Sequence, residues 1–156
     1  MTNLQILIKE IETENLFLEE TIKDIDDLLQ IVAEKNANRI EIAAGSQFLS
    51  QFYNGIENIL KRILKFSKIN IPNAENWHTE LLYFFDKNSE KKKIPLFDEE
   101  HIILLNRYKK IRHVVRQGYN FNLDWEKLRI ALENIDSFFK EFKIVISDYI
   151  KLLKEN

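Results

Sequence analysis

The chain of 156 residues contains no cysteine, only two prolines and only three glycines. The lack of cysteine excludes disulfides, thiolate catalysis and cysteine-ligated zinc, and it suits a reducing compartment, so we expect a cytoplasmic protein. So few glycines and prolines exclude an all-β chain of this length, which would need many turns. Apolar residues make up 45% and charged residues 31% of the chain, a composition typical of globular proteins.

Several patterns that mark other classes of protein are also missing. No apolar run approaches the roughly 18 residues of a membrane span. The N-terminus has no basic stretch followed by an apolar one, so we expect no secretory signal. Glycine-rich phosphate loops, the G-x-S-x-G elbow and the H-E-x-x-H zinc motif do not occur. Because His78, His101 and His113 lack the spacing of a helical metal site, we expect neither a metal nor a cofactor.

Charge is distributed unevenly, although the net charge is only −2. Residues 1–34 contain nine acidic and two basic side chains, whereas the rest of the chain contains 16 acidic and 21 basic ones. An acidic N-terminal segment followed by a basic remainder is compatible with binding to RNA, binding to an acidic partner, or self-association.

Apolar residues recur at the three- and four-residue steps of amphipathic helices along most of the chain. A first helix is predicted from Leu4 to about Val32. Polar Asn15 falls on its apolar face, where it would either set the register or mark a break. A second helix is predicted over about residues 38–67, and a short third helix runs through Trp77, Leu81 and Phe85.

Two further helices are predicted in the second half of the chain, each with an aspartate at its start. Residues 87–98 are polar and lysine-rich, which predicts an exposed loop. Asp98 begins a helix that ends near Gly118, and Asp124 begins a last helix of about 29 residues. The side chains expected to face the core are Leu104, Tyr108, Ile111 and Val115, followed by Trp125, Leu128, Leu132, Ile135, Phe139, Phe142, Ile146, Tyr149 and Leu153. We therefore expect one all-α domain over residues 1–156, an up-and-down bundle of about five helices.

One segment, residues 107–120, concentrates five cationic side chains and two tyrosines at the end of the predicted fourth helix. Arg112, Arg116 and Tyr119 follow one another at steps of four and three residues, so they can share one face. Guanidinium groups fit phosphate and a tyrosine can stack on a base, which favours RNA binding. The alternative is a cationic helix C-terminus, which the helix dipole favours in any protein.

Residues 112–119, R-x4-Q-G-Y, resemble the R-x4-H-x-Y motif of the HEPN superfamily, and most closely that of its HepT-like branch. Three other stretches resemble that branch in the same order and spacing. They are FYNGIENI at 52–59, NWHTELL at 76–82 and LDWEKL at 123–128. Together the matching stretches extend over about residues 40–135.

The resemblance implies a helical bundle that dimerises around its motif, and a metal-independent ribonuclease that is the toxin of a toxin–antitoxin pair. It further implies an antitoxin, a small nucleotidyltransferase called MNT, which adds AMP to the motif tyrosine. In this chain Arg112 matches the motif arginine and would stabilise charge on the scissile phosphate. Tyr119 matches the motif tyrosine, and would contact RNA and receive AMP. We expect further RNA contacts from Lys109, His113 and Arg116.

The position of the motif histidine holds Gln117. A glutamine amide forms hydrogen bonds but cannot transfer a proton near neutral pH. If the histidine acts as an acid or base, this chain should be slow or inactive, whereas Gln117 can partly replace a histidine that orients RNA. His113 is a further substitute, because Arg107 and His113 satisfy a relaxed form of the motif. The glutamine is either natural or a deliberate change that makes a toxic protein tolerable.

The matching stretches contain four other notable residues. Trp77 is expected to anchor the core and His78 to form a hydrogen bond beside a loop. Gly55 is expected to permit close helix packing, and Glu57 to lie on a helix surface.

Three functions therefore stay open: a ribonuclease toxin neutralised by an MNT partner, a HEPN-fold binding module without catalysis, and a plain helical interaction protein. A neighbouring gene for a small nucleotidyltransferase would favour the first two over the third.

Overall fold

The computed structural model describes residues 1–71, 75–118 and 123–156. Within these ranges the chain forms five α-helices and no β-strand, which confirms the expected all-α bundle. None of the helices in the described ranges is both long and apolar enough to cross a membrane. The helices are α1 (Asn3–Ile31), α2 (Arg39–Phe66), α3 (Trp77–Phe85), α4 (Glu99–Arg116) and α5 (Trp125–Lys154).

Local side-chain hydrogen bonds mark the start of four of the five helices, and α3 begins without one. Asp98 and Asp124 each accept a hydrogen bond from a backbone N–H in the first turn of α4 and α5, as predicted. Thr2 and Asn38 begin α1 and α2 with capping boxes, in which the third helical residue bonds back to the cap. Gly118 follows the end of α4 with a φ of +78°, a conformation that favours glycine.

The central helix is α2, which packs against α1, α4 and α5. Gly55 on α2 permits the close approach of α1, because a Cβ atom at this position would lie 2.4 Å from Leu18 Cδ2. The predicted packing role of Gly55 is therefore confirmed. Helix α1 continues through Asn15, so the predicted alternative of a break there is wrong.

The core-facing side of α4 differs from the prediction. Leu105 and Arg112 are buried, whereas Leu104, Ile111 and Val115 are only half-buried. Tyr108 is fully buried as predicted, and Leu104 and Ile111 pack against the edge of the core. The prediction missed Arg112 because an apolar pattern treats an arginine as a surface residue. On α5 most of the prediction is confirmed. The predicted side chains that are buried there are Leu128, Leu132, Ile135, Phe139, Phe142 and Ile146, and those that are half-buried are Trp125, Tyr149 and Leu153.

The connection between α3 and α4 is more closely packed than the predicted exposed loop. Its lysines are exposed, but Ile94 and Phe97 are buried, and the Phe97 ring stacks on Phe142 with centroids 5.9 Å apart. The Lys87 backbone N–H donates to the Phe97 carbonyl oxygen at 2.9 Å. These contacts hold α3 beside α4, which positions the start of α3 for the site described next.

Candidate functional site

A buried ion pair joins α4 to α2. Arg112 Nη1 donates to Glu57 Oε1 at 3.0 Å, and the two side chains are only 7% and 2% exposed. The prediction that Glu57 lies on a helix surface is therefore wrong. Glu57 follows Tyr53 by four residues and precedes Leu60 by three, and both of these neighbours are fully buried. The helical repeat thus directs the carboxylate into the protein, where it needs a cationic partner.

His78 approaches the same carboxylate from α3. Its Nδ1 lies 2.7 Å from Glu57 Oε2, and Arg112 Nη1 lies 3.2 Å from that Nδ1. Beside a guanidinium, the carboxylate is ionised and can only accept, so the hydrogen-bond network assigns a hydrogen to Nδ1. The approach of Arg112 to Nδ1 is therefore a contact and not a hydrogen bond. We call Glu57, His78 and Arg112 the buried cluster.

Aromatic rings hold the buried cluster in place. The Trp77 ring lies against the His78 ring, tilted by 31° with centroids 3.6 Å apart. Lys61 Nζ lies 5.0 Å from the Trp77 ring centroid. Trp77 is half-buried at the edge of the core, so its predicted role as a core anchor is only partly confirmed. Arg112 Cζ lies 5.8 Å from the centroid of the buried Tyr53 ring. Because both rings next to the cluster are packed, its side chains have little room to reorient.

Burial shifts the pKa values of side chains in and around the cluster. It raises the pKa of Tyr53 far above the usual value, with a further contribution from the charge of Glu57, so Tyr53 stays a neutral phenol. Burial also lowers the pKa of Arg112, and Glu57 opposes this shift. On the same helix burial lowers the pKa of Lys109, with a smaller contribution from Lys110. Cationic groups are thus held in a partly dehydrated environment, where they attract anions strongly.

An open cavity of about 550 Å³ lies next to the buried cluster, between the start of α3 and the last turns of α4. His78 and Arg112 line it, so two members of the cluster reach its wall. The lining contains four cationic side chains, of which Arg112 is one, and one acidic side chain. The cationic ones are Lys109, Lys110, Arg112 and Arg116, and the acidic one is Glu75. This excess of positive charge favours a phosphate-bearing ligand.

The cavity brings together several of the residues that the sequence predicted for the site. Lys109, Arg112, His113 and Arg116 all line it, and Lys109 Nζ donates to Thr79 Oγ1 at 3.2 Å. Gln117 is exposed just beyond the end of α4 and does not line the cavity. Tyr119 lies outside the described residues.

A second cavity, of about 580 Å³, lies at the end of α2. Lys61, Arg62, Lys65 and Lys68 line it, but no histidine or carboxylate does among the residues that the structure describes. It can attract anions but offers no side chain for proton transfer near neutral pH, so we place the functional site at the cavity beside the buried cluster.

A model of the HepT-like protein family matches residues 44–153, well over half of the chain. The chain belongs to the HepT-like family. This confirms the resemblance predicted from the motif, and the matched region includes the buried cluster and the described residues of its cavity. No curated protein and no solved structure matches the chain.

Sequence reasoning assigned no site role to two members of the cluster in this HepT-like protein. Glu57 and His78 both lie in stretches that carry the family resemblance, but each was interpreted separately. The available signal was the position of Glu57 on a helix with buried residues four positions before it and three after it. In the described part of this HepT-like chain, no group of three or more histidine, aspartate or glutamate side chains is arranged to hold a metal ion.

Proposed function

We propose that this HepT-like protein is the toxin of a toxin–antitoxin pair, and that it cleaves RNA in the cavity between α3 and α4. The observation that carries the proposal is the buried Arg112, which Glu57 holds at 3.0 Å on the wall of a cationic cavity. Negative charge grows on a phosphodiester when its P–O bond breaks, and a preorganised guanidinium stabilises that charge. Lys109 and Arg116 add positive charge where the RNA backbone would enter.

The proposal includes a homodimer in the cytoplasm. Gln117 is exposed at the end of α4, beside the open cavity but outside its lining. A two-fold axis near this end of α4 would bring two cavities and two motif segments into one basic cleft. In that arrangement Gln117 and Tyr119 act across the dimer interface on RNA bound by Arg112.

Cleavage of a labelled RNA by the purified protein in the presence of a chelator tests the function. We expect Arg112→Lys to lower the rate at least about tenfold, because lysine keeps the charge but loses the planar fork and one charge-assisted hydrogen bond. Arg107→Lys is the matched control, since Arg107 is exposed on the same helix and does not line the cavity. Equal loss in both variants contradicts the assignment of Arg112.

A second function, RNA binding without cleavage, is favoured by a specific observation. Arg112 is almost fully buried and its Nη1 is already engaged by Glu57, while Gln117 provides no titratable group. Under this alternative, the protein binds RNA in a gel-shift experiment with an affinity that falls with salt, and neither the chain nor Gln117→His cleaves it.

We further propose that a cognate MNT antitoxin, with ATP and magnesium, transfers AMP to Tyr119. The adduct adds about 329 Da, and its phosphate pairs with the arginines that RNA phosphate needs, so cleavage stops without a change of fold. We expect Tyr119→Phe to abolish the addition while the protein stays dimeric. Tyr83→Phe is the control, because Tyr83 is exposed whereas Tyr53 and Tyr108 are fully buried. An adduct on Tyr83 in the mass spectrum contradicts the assignment.

A further inference from the structure

We infer that His78, oriented by Glu57, takes the proton from the attacking 2′-hydroxyl of RNA in this chain. The inference rests on the proposed function and adds a catalytic residue outside the R-x4-H-x-Y segment. It follows from two observations: the ring of His78 is held by a buried carboxylate, and the same side chain lines the cationic cavity.

In this geometry one ring nitrogen of His78 is available to accept a proton. Nδ1 donates to Glu57 at 2.7 Å, which fixes the tautomer, so the neutral ring carries its acceptor at Nε2. The residues that the structure describes provide no hydrogen-bond partner for Nε2. The side chain is 20% exposed, and the Trp77 ring packs against it with centroids 3.6 Å apart. A buried carboxylate behind the ring also stabilises the imidazolium that forms when Nε2 takes a proton.

The other candidates for this role meet fewer of its requirements. His113 lines the cavity but is exposed, and no described carboxylate orients its ring. His101 is paired with Glu141 at 2.9 Å and does not line the cavity. Gln117 cannot accept a proton near neutral pH. Within the described part of the chain, His78 alone combines an orienting carboxylate with a place on the cavity wall.

The reaction is a transesterification within the RNA. Nε2 of His78 takes the 2′-hydroxyl proton as the 2′ oxygen forms a bond to phosphorus. The bond from phosphorus to the 5′ oxygen breaks, the electron pair stays on that oxygen, and water gives it a proton. The hydroxide left behind recovers a proton from His78, so atoms and charge balance. The products are a 2′,3′-cyclic phosphate and a 5′-hydroxyl, and Arg112 stabilises the charge on the phosphate during the step.

The test compares the cleavage rate of one labelled RNA by the full chain and its variants. We expect His78→Gln to lower the rate by about 100-fold, with RNA affinity changed less than about twofold, because the base is lost and the cations remain. His101→Gln is the matched control, since it also removes a histidine paired with an acid, and we expect its rate to be unchanged.

Each result separates this inference from the proposed function. If the unsubstituted chain cleaves and His78→Gln cleaves equally well, the role of His78 is overturned and the ribonuclease function stands. If only Gln117→His cleaves, His78 does not suffice as the base, and the inference is likewise overturned. If no variant, including Gln117→His, cleaves any RNA offered, the proposed function fails and the role of His78 with it.

Discussion

Replacing Gln117 with histidine is expected to raise the rate of RNA cleavage by about 100-fold, the lower end of the range for general acid–base catalysis. A histidine at this position can give a proton to the leaving 5′ oxygen, a step that otherwise depends on water. Gln117 is exposed at the end of α4, so the substitution should change the free energy of unfolding by less than about 0.5 kcal/mol.

Initial rates on one labelled RNA, measured across pH, check this expectation. The rate of Gln117→His should also fall at high pH, where the new acid loses its proton. Gln30→His is the matched control, because Gln30 is exposed near the end of α1, outside the cavity lining. Equal rates for the unsubstituted chain and Gln117→His, with both active, would remove position 117 from the chemistry.

Glu57→Gln is expected to lower the free energy of unfolding by about 3 kcal/mol, the lower end of the range for breaking a buried ion pair. The substitution keeps the size of the side chain but removes its charge. Arg112 is then left 7% exposed without a counter-ion, and His78 loses the carboxylate at 2.7 Å. The cost arises from the uncompensated buried charge and not from lost volume.

Urea denaturation provides the measurement. Glu10→Gln is the control, because Glu10 pairs with Arg62 at 2.9 Å but both side chains are more than one-third exposed, and such pairs contribute at most about 1 kcal/mol. Combining Glu57→Gln with Arg112→Met should recover most of the loss, since no buried charge remains. If Glu57→Gln costs no more than Glu10→Gln, Glu57 and Arg112 do not form a buried pair.

The sequence by itself predicted the features that depend on neighbours along the chain. Asp98 and Asp124 begin their helices and Gly118 follows the end of α4, because a cap forms within one turn and needs no distant contact. The long apolar repeat of α5 likewise requires only its own periodicity. Four short stretches, at residues 52–59, 76–82, 112–119 and 123–128, together indicated the family, since each is a local pattern in the sequence.

Only the tertiary structure decided the chemistry of the site. Glu57, His78 and Arg112 lie on three different helices, and no helical period relates them. Glu57 was expected on a helix surface and His78 beside a loop, because a pattern of apolar residues places polar and charged side chains in water, where most of them remain. Burying these side chains costs less free energy when they contact one another, and here Glu57 lies 3.0 Å from Arg112 and 2.7 Å from His78. These contacts depend on how α2, α3 and α4 pack. Since the free energy of an ion pair depends on both partners, it cannot be predicted from any single stretch of this sequence.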